Sequence, residues 1–481
     1  MLPKPARVFD RDDEWRYLAD FASRSGGPRL AVVSGRRRQG KTYLVEALTH
    51  AAGGLYFGAT QATATESLRL FSEALAVHLE TPLAQRFENW DEAITYLFSV
   101  AGSRPGPIVI DEFPYLSRTS PELPSILQRE LDRAVSRDAP IALVLCGSAM
   151  SVMGRLLAGD APLRGRANLE LVLGPFDHVT AARFWGVTDH ALAVLVHAVV
   201  GGTPAYRRFV DGDAPVDRED FDRWVVRTVL SPASPLFREA RYLLEEDAVR
   251  DSAMYHSVLA AVASGKTTRG AIATYVGRKA TDIGHHLNVL EDAGLLRRHP
   301  DVFRSSRSMY RVAEPLVNFY QVVMRPRWGL LESGRAENVW ADARPRFLAQ
   351  IVGPHFETLC RAFALQAAVG TFGELPGVVG PGVVSDTARR SQVEIDVAIL
   401  APAVPGVPPR VLSLGEAKWG QAIGQRHVDR LRRARDVLAA KGYDTRDTRL
   451  TCYAGVGVDP SLDTTARDLQ IIGLEDLYAA P

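Results

Sequence analysis

The sequence predicts an α/β fold that begins with a parallel sheet, continues into a helical region and ends in a further α/β domain. Three observations predict it. The first third of the chain alternates short apolar runs with helical patterns, as βαβ units do. Between residues 176 and 345 helical patterns dominate, and after residue 346 strand-like runs return. A chain of 481 residues is too long for one ordinary core, so several domains are expected.

Five short runs predict the strands of the first sheet, which we assign to residues 1–175. Several are apolar on both faces, as buried parallel strands are. They lie at residues 30–34, 55–57, 108–110, 141–146 and 169–173. Helical patterns fall between them, for example at 42–50 and 122–136.

The turn after the first strand has the spacing of a phosphate-binding loop. Gly35, Gly40, Lys41 and Thr42 fit G-x-x-x-x-G-K-[ST], and the motif stands between a strand and a helix, as its mechanism requires. Backbone N–H groups of such a loop, and of the helix that follows, bind phosphate. Lys41 would neutralise the β- and γ-phosphates, and the Thr42 hydroxyl would ligate Mg²⁺. The sequence therefore predicts a P-loop NTPase core that binds ATP with Mg²⁺.

Further candidate catalytic residues follow later strands of the same sheet. Asp111 would hold Mg²⁺ through water, and Glu112 would polarise the attacking water as general base. Ser148, at the tip of the next strand, could sense the γ-phosphate, although a simple strand-end turn explains it equally well. Arg164 and Arg166 could reach a γ-phosphate in a neighbouring subunit, and a solvated basic turn is the equal alternative.

Bulk composition excludes some classes of function. The net charge of +1 gives no overall attraction to nucleic acid or to anionic membranes, so any DNA contact must come from a local patch. No apolar run is long enough to span a bilayer, and the first residues lack a signal-peptide core. A cytoplasmic protein is therefore expected. The three cysteines are far apart, which predicts neither a disulfide nor a zinc site.

The middle of the chain reads as a helical lid at 176–250, three helices and two strand-like pieces at 251–313, and a helical connector at 314–345. Three helices followed by a hairpin are the winged-helix pattern. Its natural recognition helix is 281–294, where side chains could reach base edges or phosphates. The residues concerned are Arg278, Lys279, His285, His286 and Asn288. A structural arm or a protein contact is the alternative.

The last segment, 346–481, carries acids with the spacing of a nuclease-like site. Asp396 lies on a predicted strand at 393–400, and Glu416 and Lys418 share one face of the next, at 411–417 and just beyond it. An acid on one strand and E-x-K on the next is the arrangement of PD-(D/E)xK nucleases, and Glu357 matches an extra acid that many of them carry. The three carboxylates would bind a divalent metal, and Lys418 would orient the attacking water. Salt-bridged surface strands explain the spacing equally well, and a basic helix at 425–435 suits a phosphate backbone.

In their order and spacing, the strings GRRRQGKT, IVIDEFPYL, LVLCGSAMSVM, PLRGR and GGTPAY resemble the archaeal-type AAA+ ATPases of the STAND-like branch, found in archaea and bacteria. The resemblance covers essentially the whole chain. It implies a winged helix and a C-terminal restriction-endonuclease-like domain. It also implies that the glycine-rich loop is Walker A, that Asp111 and Glu112 are Walker B, and that Ser148 is the first sensor.

The resemblance also bears on the base of the nucleotide. Pro204 matches an element that packs near the adenine, whereas Asp10 stands where an N-terminal element of the family usually has glycine. The expected nucleotide contacts are Gly35, Arg36, Arg37, Arg38, Gln39, Gly40, Lys41, Thr42, Tyr43 and Pro204.

Two functions remain open. The first is an ATPase whose nucleotide state controls a DNA-binding, and in one version DNA-cleaving, C-terminal domain. The second is a slow, nucleotide-driven assembly switch in which that domain is an inactive scaffold. A P-loop kinase would need an acceptor pocket, and nothing after the sensor strand offers one. The expected partners are ATP, ADP, DNA and further copies of the chain, with no membrane.

Overall fold

The computed structural model describes residues 2–101, 106–246 and 252–479. The chain divides into two compact units. The first comprises residues 1–175 and 203–205, and the second comprises residues 176–202 and 206–481. The expected boundary between lid and winged helix, at 250 and 251, lies outside the described residues.

The first unit is built on a five-stranded sheet in the order β2-β3-β4-β1-β5, and each neighbouring pair is parallel. Its strands are β1 (Arg29–Ser34), β2 (Leu55–Gly58), β3 (Pro107–Asp111), β4 (Ala142–Gly147) and β5 (Ala167–Val172). β1, β3 and β4 are almost entirely buried, which is why their sequences are apolar on both faces. β5 lies at the edge of the sheet, and its alternate residues are exposed.

Helices cover both faces of this sheet. They are α1 (Asp12–Ser23), α2 (Lys41–Ala52), α3 (Ala64–Leu79), α4 (Trp90–Val100), α5 (Phe113–Thr119), α6 (Leu123–Ser136) and α7 (Met150–Arg155). Leu30 and Val32 of β1 belong to the core shared with α3, α4 and α6, whereas Ala31 and Val33 belong to the core shared with α1 and α2. Successive strand residues therefore feed two cores, as the period of two requires.

The second unit begins with helices, as expected, and they include the helix predicted at the start of the segment 346–481. They are α8 (His178–Trp185), α9 (His190–Val200), α10 (Pro204–Phe209, which spans the division between the units), α11 (Arg218–Thr228) and α12 (Pro235–Glu246). After the hairpin come α16 (Pro315–Phe319), α17 (Trp328–Glu332), α18 (Ala336–Phe347), α19 (Gly353–Gln366) and α20 (Ala368–Phe372). A π-helical turn, Leu348–Val352, joins α18 to α19 directly. The expected boundary at 345 thus falls inside α18.

Three helices and a hairpin occupy the segment in which that order was predicted. They are α13 (Ser252–Ala263), α14 (Arg269–Tyr275), α15 (Gly284–Asp292), β6 (Leu296–Asp301) and β7 (Arg304–Val312). β6 and β7 are antiparallel. α15 begins three residues later than the predicted recognition helix, because Thr281 and Asp282 lie in a turn.

The C-terminal sheet has the order β12-β11-β10-β9-β8. The central antiparallel strand is β9 (Ser391–Leu400), which pairs with β8 (Val378–Asp386) on one side and β10 (Val411–Lys418) on the other. Two further strands, β11 (Arg449–Ala454) and β12 (Leu469–Ile472), run parallel to β10. α21 (Gln425–Ala440) joins β10 to β11, and α22 (Leu474–Tyr478) follows β12. The sequence analysis missed β8 and β12, since the Gly380-Pro381-Gly382 string in β8 reads as a turn.

In the part of the chain that the structure describes, no helix combines the length and the apolar character needed to cross a bilayer.

Candidate nucleotide site and carboxylate cluster

The phosphate loop closes the end of β1 in a conformation that only a few residue types adopt readily. Gly35 has φ of 148°, and a Cβ there would lie 2.4 Å from the carbonyl oxygen of Leu173. Gly40 has φ of 87° and caps α2. Because Gly40 carries no side chain, the first N–H groups of α2 stay open to a ligand. These features form the anion nest that the spacing predicts.

Lys41 lies inside this loop. Its side chain is buried, and Nζ donates a hydrogen bond to the carbonyl oxygen of Arg36 at 2.8 Å. Burial lowers the pKa of Lys41, while the nearby carboxylates of Glu112 and Asp111 act in the opposite direction. A buried ammonium held by its own loop is ready to exchange that carbonyl for phosphate oxygens.

Asp111 is the last residue of β3, and Glu112 follows it. Both lie at the edge of the sheet where the phosphate loop follows β1. β4 separates β1 from β3, and Ser34 of β1 is in register with Gly147 of β4. Asp111 is buried, and its Oδ1 and Oδ2 accept hydrogen bonds from the Glu112 N–H at 2.9 Å and from the Tyr56 hydroxyl at 3.1 Å. Burial and the Asp111 carboxylate raise the pKa of Tyr56, so this hydroxyl stays protonated and donates.

Glu112 is held by the residue predicted as sensor. Glu112 has φ of 50°, and its Oε2 accepts hydrogen bonds from the Ser148 hydroxyl at 3.0 Å and from the Ser148 N–H at 3.4 Å. The first of these bonds fixes the carboxylate at the carboxyl end of β4, between the phosphate loop and Asp111. This position suits a group that must orient a water molecule.

The donor set at this edge fits Mg²⁺. A hydroxyl at Thr42 and a carboxylate at Asp111 are the hard oxygen ligands that this ion prefers, and waters complete its shell in most such sites. Thr42 is exposed at the start of α2, so its hydroxyl is accessible.

The structure also places Thr203 and Ala205, which the sequence did not single out, against the phosphate loop. Gln39 Nε2 donates to Thr203 Oγ1 at 3.2 Å, and the Ala205 N–H donates to the Arg38 carbonyl oxygen at 3.4 Å. Pro204 lies beside Gly40, where a Cβ would be 3.9 Å from its ring. Segment 203–205 is therefore attached to the phosphate loop, which is consistent with the expected position of Pro204.

Tyr115 contacts a predicted nucleotide residue, and Tyr43, which is itself one of them, contacts the N-terminal segment. Arg37 Nη2 donates to the hydroxyl of Tyr115 at 2.7 Å, and the hydroxyl of Tyr43 donates to the carbonyl oxygen of Arg7 at 3.0 Å. Tyr43 thus links α2 to the N-terminal segment. Tyr56 lies within β2 and Tyr115 lies within α5, so neither stands at a strand end, where a sequence pattern would have marked it.

Arg166 contacts α6, and Arg164 makes a contact within its own turn. Arg166 forms an ion pair with Asp132 of α6 at 2.8 Å, and Arg164 Nη1 donates to the carbonyl oxygen of Gly159 at 2.7 Å. Their role toward a neighbouring subunit stays a prediction.

The four residues predicted for the C-terminal site converge. Lys418 Nζ lies 2.8 Å from Glu416 Oε1 and 3.6 Å from Asp396 Oδ2. The Ala417 N–H donates to Asp396 Oδ2 at 2.9 Å. Burial, followed by the Asp396 charge, raises the pKa of Glu357, which is consistent with a position beside that carboxylate.

Basic side chains already compensate each of these carboxylates. Arg311 of β7 lies 2.6 Å from Glu357 Oε2, and Arg361 lies 3.8 Å from the same atom. Arg430 of α21 pairs with Glu416, whose side chain is completely buried. Within the described residues, no group of three or more His, Cys, Asp and Glu side chains is arranged to hold a metal ion. In this arrangement a divalent cation would have to displace arginine and lysine from Glu416, so the cluster does not fit a metal as it stands.

The predicted recognition helix divides its candidates between two environments. Arg278, Lys279, His285 and Asn288 are exposed. His286 is half-buried, and its ring lies 5.4 Å from that of Tyr255. His286 therefore contributes to packing against α13.

No protein-family model matches the chain. It is 24% identical over 363 residues to uncharacterized protein MJECL04 of Methanocaldococcus jannaschii, covering 74% of this chain and 77% of that protein. Among solved structures it is similar to the Walker-type ATPase PABY2304 of Pyrococcus abyssi. That similarity has 20% identity and a TM-score of 0.52, and it covers 67% of this chain and 98% of the other. The ORC2 protein of Aeropyrum pernix, in ADPNP and ADP complexes, shows 16% identity and a TM-score of 0.46 over 70% of this chain and 97% of that chain. Together with the parallel sheet, the Pyrococcus similarity shows a P-loop NTPase fold.

Proposed function

We propose that this chain binds ATP and hydrolyses it with Mg²⁺ at the carboxyl ends of β1, β4 and β3. One observation carries the proposal. The glycine-rich loop around buried Lys41 and the Asp111–Glu112 pair lie at the same edge of the sheet, and Ser148, after the intervening strand β4, donates a hydrogen bond to Glu112. Phosphate binding, metal ligation and water activation need these groups at adjacent strand ends.

The residues take separate roles in this proposal. The loop N–H groups and Lys41 bind the β- and γ-phosphates, while Thr42 and Asp111 would hold Mg²⁺, which neutralises charge on the phosphate oxygens. Glu112 orients a water and takes its proton as the water oxygen bonds to the γ-phosphorus, and ADP carries away the electron pair of the broken bond. Segment 203–205 and Tyr43 border the position of the base.

We further infer that the nucleotide state controls a DNA-contacting region in residues 251–481. The predicted winged helix is supported by the order of α13, α14, α15, β6 and β7. A nuclease-like domain is supported by the convergence of Glu357, Asp396, Glu416 and Lys418. The alternative is an assembly switch whose C-terminal domain is an inactive scaffold, and the arginine-compensated carboxylates favour that domain being inactive in cleavage.

The ATPase proposal is tested by phosphate release from Mg–ATP. Lys41→Ala should lose nucleotide affinity and turnover, and Glu112→Gln should keep affinity but lose turnover by about 10²-fold or more, the usual contribution of a general base. Lys266→Ala removes an exposed lysine in the turn after α13 and should behave as the wild type. Unchanged affinity and turnover in Lys41→Ala would refute the proposal.

Cleavage is tested separately with plasmid DNA and Mg²⁺ or Mn²⁺. If the domain is a nuclease, the wild type should cut and Asp396→Ala should not. Equal cutting by both, or none by either, removes the nuclease hypothesis and leaves the ATPase proposal intact.

A further inference from the structure

The β6–β7 hairpin is fixed to the C-terminal sheet by its tip. The Val302 N–H donates to the carbonyl oxygen of Pro381 at 3.0 Å. A Cβ at Gly382 would lie 2.5 Å from the ring of Phe303, so the missing side chain there makes room for that ring. Phe303 also packs edge-on against Tyr443, with ring centroids 5.8 Å apart. The tip is therefore committed to the sheet.

One face of the hairpin carries basic groups toward the carboxylate cluster. Arg297 of β6 is directly opposite Arg311 of β7, so both side chains lie on one face, and His299 follows Arg297 on that face. Arg311 reaches Glu357 at 2.6 Å. Burial, and then the charges of Arg361, Arg311 and Arg297, lower the pKa of His299 to about 3. The three arginines thus surround a neutral histidine beside the cluster.

In the ion pairs of the carboxylate cluster, basic side chains outnumber carboxylates. Four basic side chains, Arg311, Arg361, Lys418 and Arg430, lie within 4 Å of three carboxylates. Arg297 adds a fifth positive charge. Its side chain is exposed and, within the part of the chain that the structure describes, forms no ion pair and no side-chain hydrogen bond. A site that holds a divalent cation needs uncompensated carboxylates, whereas a net positive site attracts an anion.

We propose that the Arg297–Arg311 face of the hairpin, continued by Lys418 and Arg430, binds the phosphate backbone of DNA and does so without a divalent metal. The proposal rests on the DNA role inferred above and names the surface and the chemistry that would carry it. Arginine forks bind phosphate oxygens in pairs, and each phosphate neutralised releases counterions. DNA bound there would lie across the carboxylate cluster.

The hairpin offers a matched pair of variants for the test. Arg298 is the next residue of β6, is equally exposed, and faces the opposite side, in register with Tyr310. Anisotropy of a fluorescein-labelled DNA duplex is measured with the full chain, in EDTA, over a series of salt concentrations. Arg297→Gln should weaken binding about fivefold and reduce the slope of log affinity against log salt by about 1, the value for one lost phosphate contact. Arg298→Gln should leave both quantities near wild type.

Several results would overturn this proposal. These are equal losses in the two variants, loss of wild-type binding in EDTA, absence of DNA binding, and binding to phosphatidylserine vesicles or RNA in place of DNA. ATP turnover of each variant is measured in parallel. If turnover is normal and neither variant changes DNA binding, the assignment of this surface fails while the ATPase proposal stands. If Arg297→Gln and Arg298→Gln both lose turnover, the substitutions have caused a folding defect. In that case Arg297→Lys, which keeps the charge and should keep the salt slope, decides the question.

Discussion

Glu112 and Ser148 make a contact on which the proposed chemistry of the nucleotide site depends. Glu112 stands in a left-handed backbone conformation that costs a non-glycine residue free energy, and its carboxylate bonds to the Ser148 hydroxyl at 3.0 Å. A polar contact of this kind positions a general base without touching the substrate's bonds. Ser148 is therefore a positioning residue as well as a candidate sensor.

Removing the Ser148 hydroxyl should slow turnover but spare binding. In Ser148→Ala the Glu112 carboxylate loses one hydrogen bond, worth about 1.5 kcal/mol or more because the acceptor is charged, so kcat should fall about tenfold while KM for ATP changes little. Ser148→Thr keeps the hydroxyl and should retain most of the rate. Steady-state phosphate release measures both variants, and a KM rise without a kcat loss would contradict the positioning role.

Asp10 stands where the family resemblance implies glycine, and its backbone adopts a conformation that glycine favours. Its φ is 53°, and the following Arg11 has φ of 60°. This left-handed region favours glycine, and aspartate tolerates it better than most residues because its short side chain can bond locally. The backbone that glycine would adopt is thus retained here by a different residue.

At the scale of elements, histidine side chains connect α8, α9, α19 and α22, and of these His178 is buried while His197 and His355 are half-buried. His197 Nδ1 and His355 Nε2 are 2.8 Å apart, so one ring donates to the other and both are neutral. His178 Nε2 lies 2.9 Å from the carbonyl oxygen of Leu477, and the ring of Tyr478 stacks on His190 at 4.7 Å. Burial, then the neighbouring His178, lowers the pKa of His197 to about 3.

This pairing predicts that acid weakens the second unit. The folded pKa of His197 is below that of the unfolded chain, near 6.5, so the stabilisation is complete above 6.5 and is lost as pH falls toward 3. The loss should reach about 2 kcal/mol at pH 5. Thermal unfolding at pH 7.5 and 5.0 measures it. His197→Leu should narrow the difference in Tm between the two pH values, whereas His285→Leu, at an exposed position, should leave that difference as in the wild type.

At the scale of the whole molecule, the chain itself links the two units. Residues 203–205 belong to the first unit, while the residues on either side belong to the second. Thr203 accepts a hydrogen bond from Gln39 of the phosphate loop, and Ala205 bonds to Arg38. In the proposed function, a change in the loop on exchange of ATP for ADP would act on residues 203–205 through these two bonds.

Thr203→Ala should weaken this link. If the nucleotide state controls DNA contact, wild-type DNA affinity should differ between the ATP-analogue and ADP states, and the variant should reduce that difference while ATP affinity changes less than about threefold. DNA anisotropy in the two states measures it. Thr274→Ala, on α14, is the control. A change of mass with nucleotide, without any response to DNA, would favour the assembly switch instead.

The sequence alone predicted the P-loop NTPase fold of the first unit. The phosphate loop, its strand and its helix are one contiguous segment, and the strands that carry Asp111 and Ser148 are apolar enough to be recognised as buried and parallel. In such a sheet the carboxyl ends meet at one edge, so local patterns suffice to bring these residues together.

Only the tertiary structure decided the character of the C-terminal cluster. The spacing of Asp396, Glu416 and Lys418 predicted that they share a site, and they do. The spacing could not show that Arg430, from a helix elsewhere in the chain, pairs with Glu416, or that Arg311, from the hairpin, pairs with Glu357. Electrostatic compensation depends on distance in space, and a sequence pattern records only distance along the chain. For the same reason, the sequence could not predict that the hairpin tip contacts β8.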